Sequence, residues 1–328
     1  MGDHPLDKRW GVDGSISRQA QRMVALAGAS WSFDRASKHM KELCGWSISD
    51  KTIRTVCHER SGLMAEWERD NPEAHQPFRT AQGEAEFCTD GTMVNTTEGY
   101  REMRLGIFTK RPRGEPATAE EWATRTLPET TARVAFASIE TSEKFGSRWN
   151  GWTGRLGISD MSKLSVLADG ARWIWDESAL HFPGATEVLD IYHALEHVAA
   201  TAKILHGEGT DAGRDWIDQT RNKMLTQGWS GVEEHLRETR KSVRKASGRV
   251  ALKKLENYLG RQPQHLQYAE RLREGRSIGS GQAEGACRHM IGRRLKNGGR
   301  WKVWSANRMA NLCATLYSNH WNSYWKSA

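Results

Sequence analysis

At 328 residues the chain has room for two domains, or for one core with an insertion. Its 38% hydrophobic and 27% charged residues exclude a disordered polymer, and the lack of a membrane-length apolar run or signal-like opening predicts a soluble chain with no membrane partner. The net charge of +8 favours a polyanion as partner, nucleic acid before a membrane surface. The cysteines (44, 57, 88, 287, 313) are odd in number and form no C-x-x-C pair. That excludes a disulfide framework or structural zinc and predicts a reducing, cytoplasmic setting. With no Walker A loop and no G-x-G-x-x-G run, nucleotide-driven chemistry is not expected.

Residues 1 to about 15 are polar and glycine-containing and read as loose. Three helical patterns follow. The first spans 18–27, with Ala20, Met23, Val24 and Leu26. The second spans 33–43, with Ser32 as its N-cap and Gly45 as its stop. Ser49 caps the third, where Ile53, Val56 and Cys57 face one way and Lys51, Arg54, Thr55 and His58 the other. The turn 44–48 between the last two fits a helix-turn-helix, and the third helix would then enter DNA through Lys51 and Arg54. An ordinary three-helix subdomain fits the same pattern.

A polar connector is expected over 62–82, after which the period changes to strands at 86–90, 100–108 and 133–139. The stretch 110–129, with Pro112, Pro116 and Pro128, reads as a loop between the second and third strands. Residues 142–160 read as helical or irregular. Strands at 164–168 and 187–189 complete a mixed five-stranded sheet of ribonuclease-H type in an α/β chain. Three of these strands end in an acid, Asp90, Asp169 and Asp190, which predicts a carboxylate cluster at one sheet edge. In that architecture the first and fourth strands are neighbours, so Asp90 and Asp169 would meet. Residues 194–272 switch to helix and read as an all-α insertion.

The loop 275–281 then leads into a helix starting near Gly281, with Glu284 in its first turn. From 271 to 302 there are nine Lys or Arg against two acids, Glu274 and Glu284, so 9 − 2 = +7 falls in about a tenth of the chain. Charge that concentrated suits a phosphate-binding surface, through Arg288, Arg293, Arg294, Lys296 and Arg300. The end, 304–325, reads as one helix.

Carboxylates at 90, 169 and 284 can hold two Mg²⁺ or Mn²⁺ ions, hard cations that take oxygen ligands and keep room for phosphate. Two such ions about 4 Å apart stabilise the attacking and leaving oxygens of a phosphodiester displacement. Asp90 would bridge them, with Asp169 on one and Glu284 on the other. Each piece also has a plainer reading. Asp90-Gly91 is a hairpin-turn signal and Asp169-Gly170 a strand-ending turn. Asp190 could be a helix N-cap beside a surface His193, and Glu284 a first-turn acid favoured by the helix dipole.

The strings Thr89-Asp90-Gly91-Thr92, Gly99-Tyr100-Arg101-Glu102-Met103-Arg104 and Ala168-Asp169-Gly170-Ala171-Arg172-Trp173-Ile174-Trp175 resemble bacterial insertion-sequence transposases of the ISKra type. So do Leu189-Asp190-Ile191-Tyr192-His193-Ala194-Leu195-Glu196-His197, Ile278-Gly279-Ser280-Gly281-Gln282-Ala283-Glu284 and Gly299-Arg300-Trp301. The likeness runs from about residue 20 to the end. The wider kinship is with Mutator-like DDE transposases, whose pattern is Asp, Asp, a Cys/Asp-x-x-His pair, a helical insertion and a final Glu. Asp190 and His193 match the pair.

The resemblance implies a ribonuclease-H-like core, Mg²⁺ or Mn²⁺ as cofactor, and double-stranded DNA as substrate. It carries catalytic roles to Asp90, Asp169 and Glu284, with His193 beside them orienting a phosphate or supporting Asp169. The implied organisation is a helical region 1–80 (helix-turn-helix about 18–60), a catalytic core 81–195, an all-α insertion 196–272 and a final core segment 273–328. A homo-oligomer on DNA in the bacterial cytoplasm, associated with the nucleoid, is expected by analogy. The competing expectations are a ribonuclease-H-fold nuclease, and a truncated or domesticated derivative that binds DNA without autonomous transposition. The last is raised because family members often carry a longer region before the helix-turn-helix.

Overall fold

The computed structural model describes residues 12–13, 16–297 and 299–327. The opening stretch read as loose lies outside the described residues, apart from Val12–Asp13, which pair antiparallel with Ile16–Ser17. Three helices follow: α1 (Arg18–Ser30), α2 (Phe33–Cys44) and α3 (Asp50–Asp70). Ser17, Ser32 and Ser49 each accept a hydrogen bond from the N–H three residues on, satisfying a donor the helix cannot. Gly45, at φ 63°, stops α2 in the left-handed region that glycine adopts without strain.

The connector expected over 62–82 is corrected in two places. α3 runs on to Asp70, and Gln76–Thr80 forms a short helix. The cause is tertiary. Ser61 donates to the Arg308 carbonyl and Met64 is fully buried, so this part of α3 is covered by the C-terminal helix. Charged Glu66, Glu68 and Arg69 dilute the apolar period there, which hides the helix from a pattern reading.

The centre is a five-stranded mixed sheet. Its strands are β1 (Glu84–Thr96), β2 (Gly99–Arg111), β3 (Ala132–Ser138), β4 (Leu164–Ala168) and β5 (Thr186–Leu189), in the order β3-β2-β1-β4-β5. β2 is antiparallel to both its neighbours, and β1, β4 and β5 are mutually parallel. β4 is buried at every residue, as a central parallel strand must be. An aromatic cluster seals one region of the core: Phe87 lies 4.8 Å from Trp149, which stacks on Phe182 at 5.2 Å. Trp149 belongs to α4 (Trp149–Leu156).

The later helices are α5 (Arg172–His181), α6 (Ile191–His206), α7 (Asp211–Ser242), α8 (Ala246–Leu259) and α9 (Tyr268–Arg273). Gly228, with φ 61° and ψ −144°, kinks α7. Next comes α10 (Gly281–Ala286), which continues through a π turn at Cys287–Gly292 into Arg293–Leu295. The expected terminal helix is two, α11 (Val303–Tyr317) and α12 (Trp321–Ser327). α11 lies along β3, where Ser318 and Asn307 accept hydrogen bonds from the N–H groups of Ala135 and Ile139. The chain is thus α/β, with a mixed sheet that carries helices before, after and between its strands. Among the described residues, no helix is long and apolar enough to cross a membrane.

Candidate active site

Asp90 does not end its strand. It pairs with Leu105 inside the β1–β2 ladder and Gly91 pairs with Arg104, so the hairpin turn lies at Thr97-Glu98 and not at Asp90-Gly91. The parallel neighbour is shorter. β1 and β4 last pair at Thr89 and Ala168, so Asp90 and Asp169 each stand one residue beyond that pair. Two carboxylates therefore leave the same edge of adjacent strands. Asp90 Oδ1 accepts from Gly91 N at 2.6 Å. Burial first, and then the charge of Asp169, raise the Asp90 carboxyl above its usual range, against the opposing pull of Gly91 N–H, the Cys287 thiol and His193.

Asp169 Oδ1 accepts from Ala171 N at 2.9 Å and turns the chain into α5. Between them, a Cβ on Gly170 would fall 2.1 Å from the Tyr258 ring. Tyr258 comes from α8, hydrogen-bonds the Gly170 backbone and feels Asp169; burial above all pushes its hydroxyl pKa up. His197 stacks on Tyr258 with ring centroids 3.8 Å apart, and burial lowers its pKa.

Asp190 has a different role from the other two acids. Its N–H donates to the Ala168 carbonyl at 2.8 Å. Its Oδ1 accepts from Tyr192 N and His193 N at 2.7 and 3.0 Å, capping α6. Its Oδ2 accepts from the N–H and hydroxyl of Ser280. At 2% exposure it is spent on structure, so the cluster of three strand-end acids reduces to a pair. His193 Nδ1 lies 3.4 Å from Asp190 Oδ1, half-exposed beside that pair.

The Ser280 clamp, with Ile191 N donating to the Ile278 carbonyl at 3.1 Å, fixes the loop that launches α10. Glu284 lies on α10 and faces solvent. Cys287, three residues on and so about 4.5 Å further along the axis, lies beside Asp90; burial and the nearby Asp90 and Glu284 raise its thiol pKa. Among the described residues, no three or more His, Cys, Asp or Glu side chains are grouped to hold a metal ion. Asp90 and Asp169 are brought together and Glu284 is not. Two carboxylates match the protein's share of a magnesium site that fills its other positions with water and phosphate. They do not make up a three-carboxylate, two-ion site.

The basic residues divide. Lys51 and Arg54 on α3, and Arg288, Arg293, Lys296 and Arg300, are exposed. Lys296 Nζ reaches Thr92 Oγ1, two residues from Asp90 on β1. Arg294 is corrected: at 5% exposure it donates from Nε to the Gly28 carbonyl at 2.6 Å and lies against the rings of Phe33 and Trp301. Two more of the nine cations are withdrawn. Arg271 is buried on the Ser277 carbonyl and Ser165 Oγ, and Arg276 pairs with Glu84 and Glu274. The surface charge of this segment is correspondingly smaller than its composition.

Tyr258 and Cys287 carry no sequence pattern that marks them as site residues. Tyr258 shares the helical period of its core neighbours and Cys287 looked like one of several scattered thiols. The available signal was spacing, since Cys287 follows Glu284 by one turn.

No family model matches the chain and no curated protein matches it. Among solved structures, one titled "Crystal structure of NurA" is similar at 13% identity over 82% of this chain and 62% of that chain, less than two thirds of its length, with a TM-score of 0.13. A score that low supports no reading of fold or chemistry.

Proposed function

We propose that the chain is a DDE-type transposase, cutting DNA at element ends and joining the freed ends to a target. The observation that carries this reading is the pair Asp90 and Asp169, one residue beyond the last pairing of adjacent parallel strands and close enough for the charge of Asp169 to act on Asp90. The strand order β3-β2-β1-β4-β5, with β2 alone reversed, supports a ribonuclease-H-like core. Asp90 and Asp169 would hold Mg²⁺ or Mn²⁺. Such an ion, when bound, lowers the pKa of water and offsets phosphate charge.

The chain's own residues position the DNA. The Asp190–Ser280 clamp fixes the start of α10, and Glu284, exposed on that helix, would have to turn inward to join the pair. Lys51, Arg54, Arg288, Arg293, Lys296 and Arg300 supply phosphate contacts, and His193 stands at the carboxylate pair. In cleavage, water attacks the phosphodiester and the 3′ oxygen leaves as a hydroxyl. In joining, that hydroxyl attacks a target phosphodiester and displaces a second 3′ oxygen. By analogy the working form is a homo-oligomer on DNA in the bacterial cytoplasm.

The solvent-facing Glu284, outside any three-ligand group, favours a second reading, a derivative that holds DNA without mobilising it. Cleavage of a labelled duplex carrying the element end separates the two. Metal-dependent nicking lost in Glu284→Ala supports the transposase. Equal nicking in both removes Glu284 from the site. DNA binding without nicking in either supports the second reading.

A further inference from the structure

A groove of about 670 Å³ lies between α3 and the segment after α10, apart from the carboxylate pair. That volume is in the range of a site for a small planar group. Arg54 lines it from α3, and Arg300 and Lys302 from the facing segment. That segment is anchored, since Trp301 N donates to the Asn95 carbonyl and Thr97 N to the Trp301 carbonyl, at 3.0 and 2.9 Å. Gly299, at φ +80°, makes the bend that brings Arg300 to the rim.

The lining between the cations is aromatic. Trp304 is 56% exposed, unusual for the largest apolar side chain, and is held edge-on to His58 at 4.8 Å. His58 is fixed by Ser305 Oγ at 2.9 Å; burial, with Arg54, Arg308 and Arg294 around it, brings its pKa to about 4, so the ring is neutral at physiological pH. The Arg294 guanidinium also lines the groove, against the Phe33 and Trp301 rings, which meet edge to face at 6.1 Å.

We propose that this groove holds one unstacked nucleobase of a DNA strand. The base face would lie on Trp304, with its phosphate on Arg54, Arg300 and Lys302. Within a duplex the base faces are covered by their neighbours, so an aromatic wall between cations finds its match only where a base has left the stack. The proposal rests on the DNA-binding reading above and adds to it a preference for unpaired strand.

The test uses the full chain with two probes at one salt concentration, a labelled oligothymidine and a labelled mixed-sequence duplex. Trp304→Ala should weaken binding of the single strand by about 5- to 100-fold and duplex binding by less than about twofold. Trp304→Phe should restore most of the loss. In an oligonucleotide carrying 2-aminopurine, the fluorescence quenching on binding should disappear with Trp304→Ala. Trp304→Leu, which keeps apolar bulk at this exposed position and removes the ring, should show the same loss confined to the single strand, which keeps the test valid if the alanine variant fails to fold. Unchanged single-strand affinity in Trp304→Ala, with duplex binding intact, would overturn the groove and leave the DNA reading standing. A native chain that bound neither probe would remove both.

Discussion

The thiol of Cys287 lies beside the carboxylate of Asp90, linking the π turn after α10 to the middle of β1. This contact sets how near Glu284 can come to the carboxylate pair. Cys287→Ala removes it without adding bulk, and should lower metal-dependent cleavage by about tenfold, the scale for losing a supporting hydrogen bond in a catalytic site. Cys287→Ser can still donate and should stay within about twofold. Single-turnover cleavage rates check this, and equal loss in both variants would assign the effect to packing.

Asp90 also makes stability depend on pH. Its folded pKa is raised, so its stabilising contribution is complete below the usual carboxylate value of about 3.9 and is lost as pH rises through the raised one. Asp90→Asn keeps the neutral form at every pH. It should raise Tm at pH 7 by about 1–3 °C while abolishing cleavage, and the gain should vanish near pH 4. Magnesium should raise the Tm of the native chain and leave that of the variant unmoved. Calorimetry between pH 4 and 8 measures both, and a gain independent of pH would contradict the electrostatic account.

Gly170 is required by Tyr258. A methyl group there would overlap the ring, so Gly170→Ala should cost about 1–3 kcal/mol, as overpacking does. Adding Tyr258→Ala should recover part of that loss, which a double-mutant cycle in urea would show as coupling. Strict additivity would mean the backbone, and not Tyr258, requires glycine.

Arg293 and Arg294 are neighbours with opposite fates. Arg293→Ala should reduce the salt slope of DNA binding by about 0.9 with little change in stability. Arg294→Ala removes a buried cation packed against two rings and should cost about 2–4 kcal/mol. Fluorescence-anisotropy titrations at several salt concentrations, with denaturant melts of each variant, separate them. A lowered Tm in Arg293→Ala would reverse the assignment.

Much of this was legible locally. Leu164 to Ala168 form a strand because a short run, apolar but for Ser165, before Asp-Gly has few other uses, and Ser32 and Gly45 bound α2 by capping chemistry alone. Asp90-Gly91 misleads because turn chemistry is a signal of nearest neighbours, whereas a 13-residue ladder with β2 carries the strand past it. Arg294 misleads because charge counts carry no burial; its partners, Gly28 and Phe33, lie some 260 residues away in the chain. A separation of 88 residues (258 − 170) likewise hides Tyr258, whose contact with Gly170 belongs to neither local pattern.

The first helices close on the last. Arg18 donates to the Trp325 carbonyl, Ser61 to that of Arg308, and Arg294 to that of Gly28. During synthesis α1–α3 therefore wait on the order of 10–50 s for the segment that covers them, while the sheet forms in between. Their apolar sides stay exposed through that interval, which makes it the period of greatest aggregation risk. Slowed translation across the α7–α8 region should lower the yield of folded protein more than the same delay placed after α11.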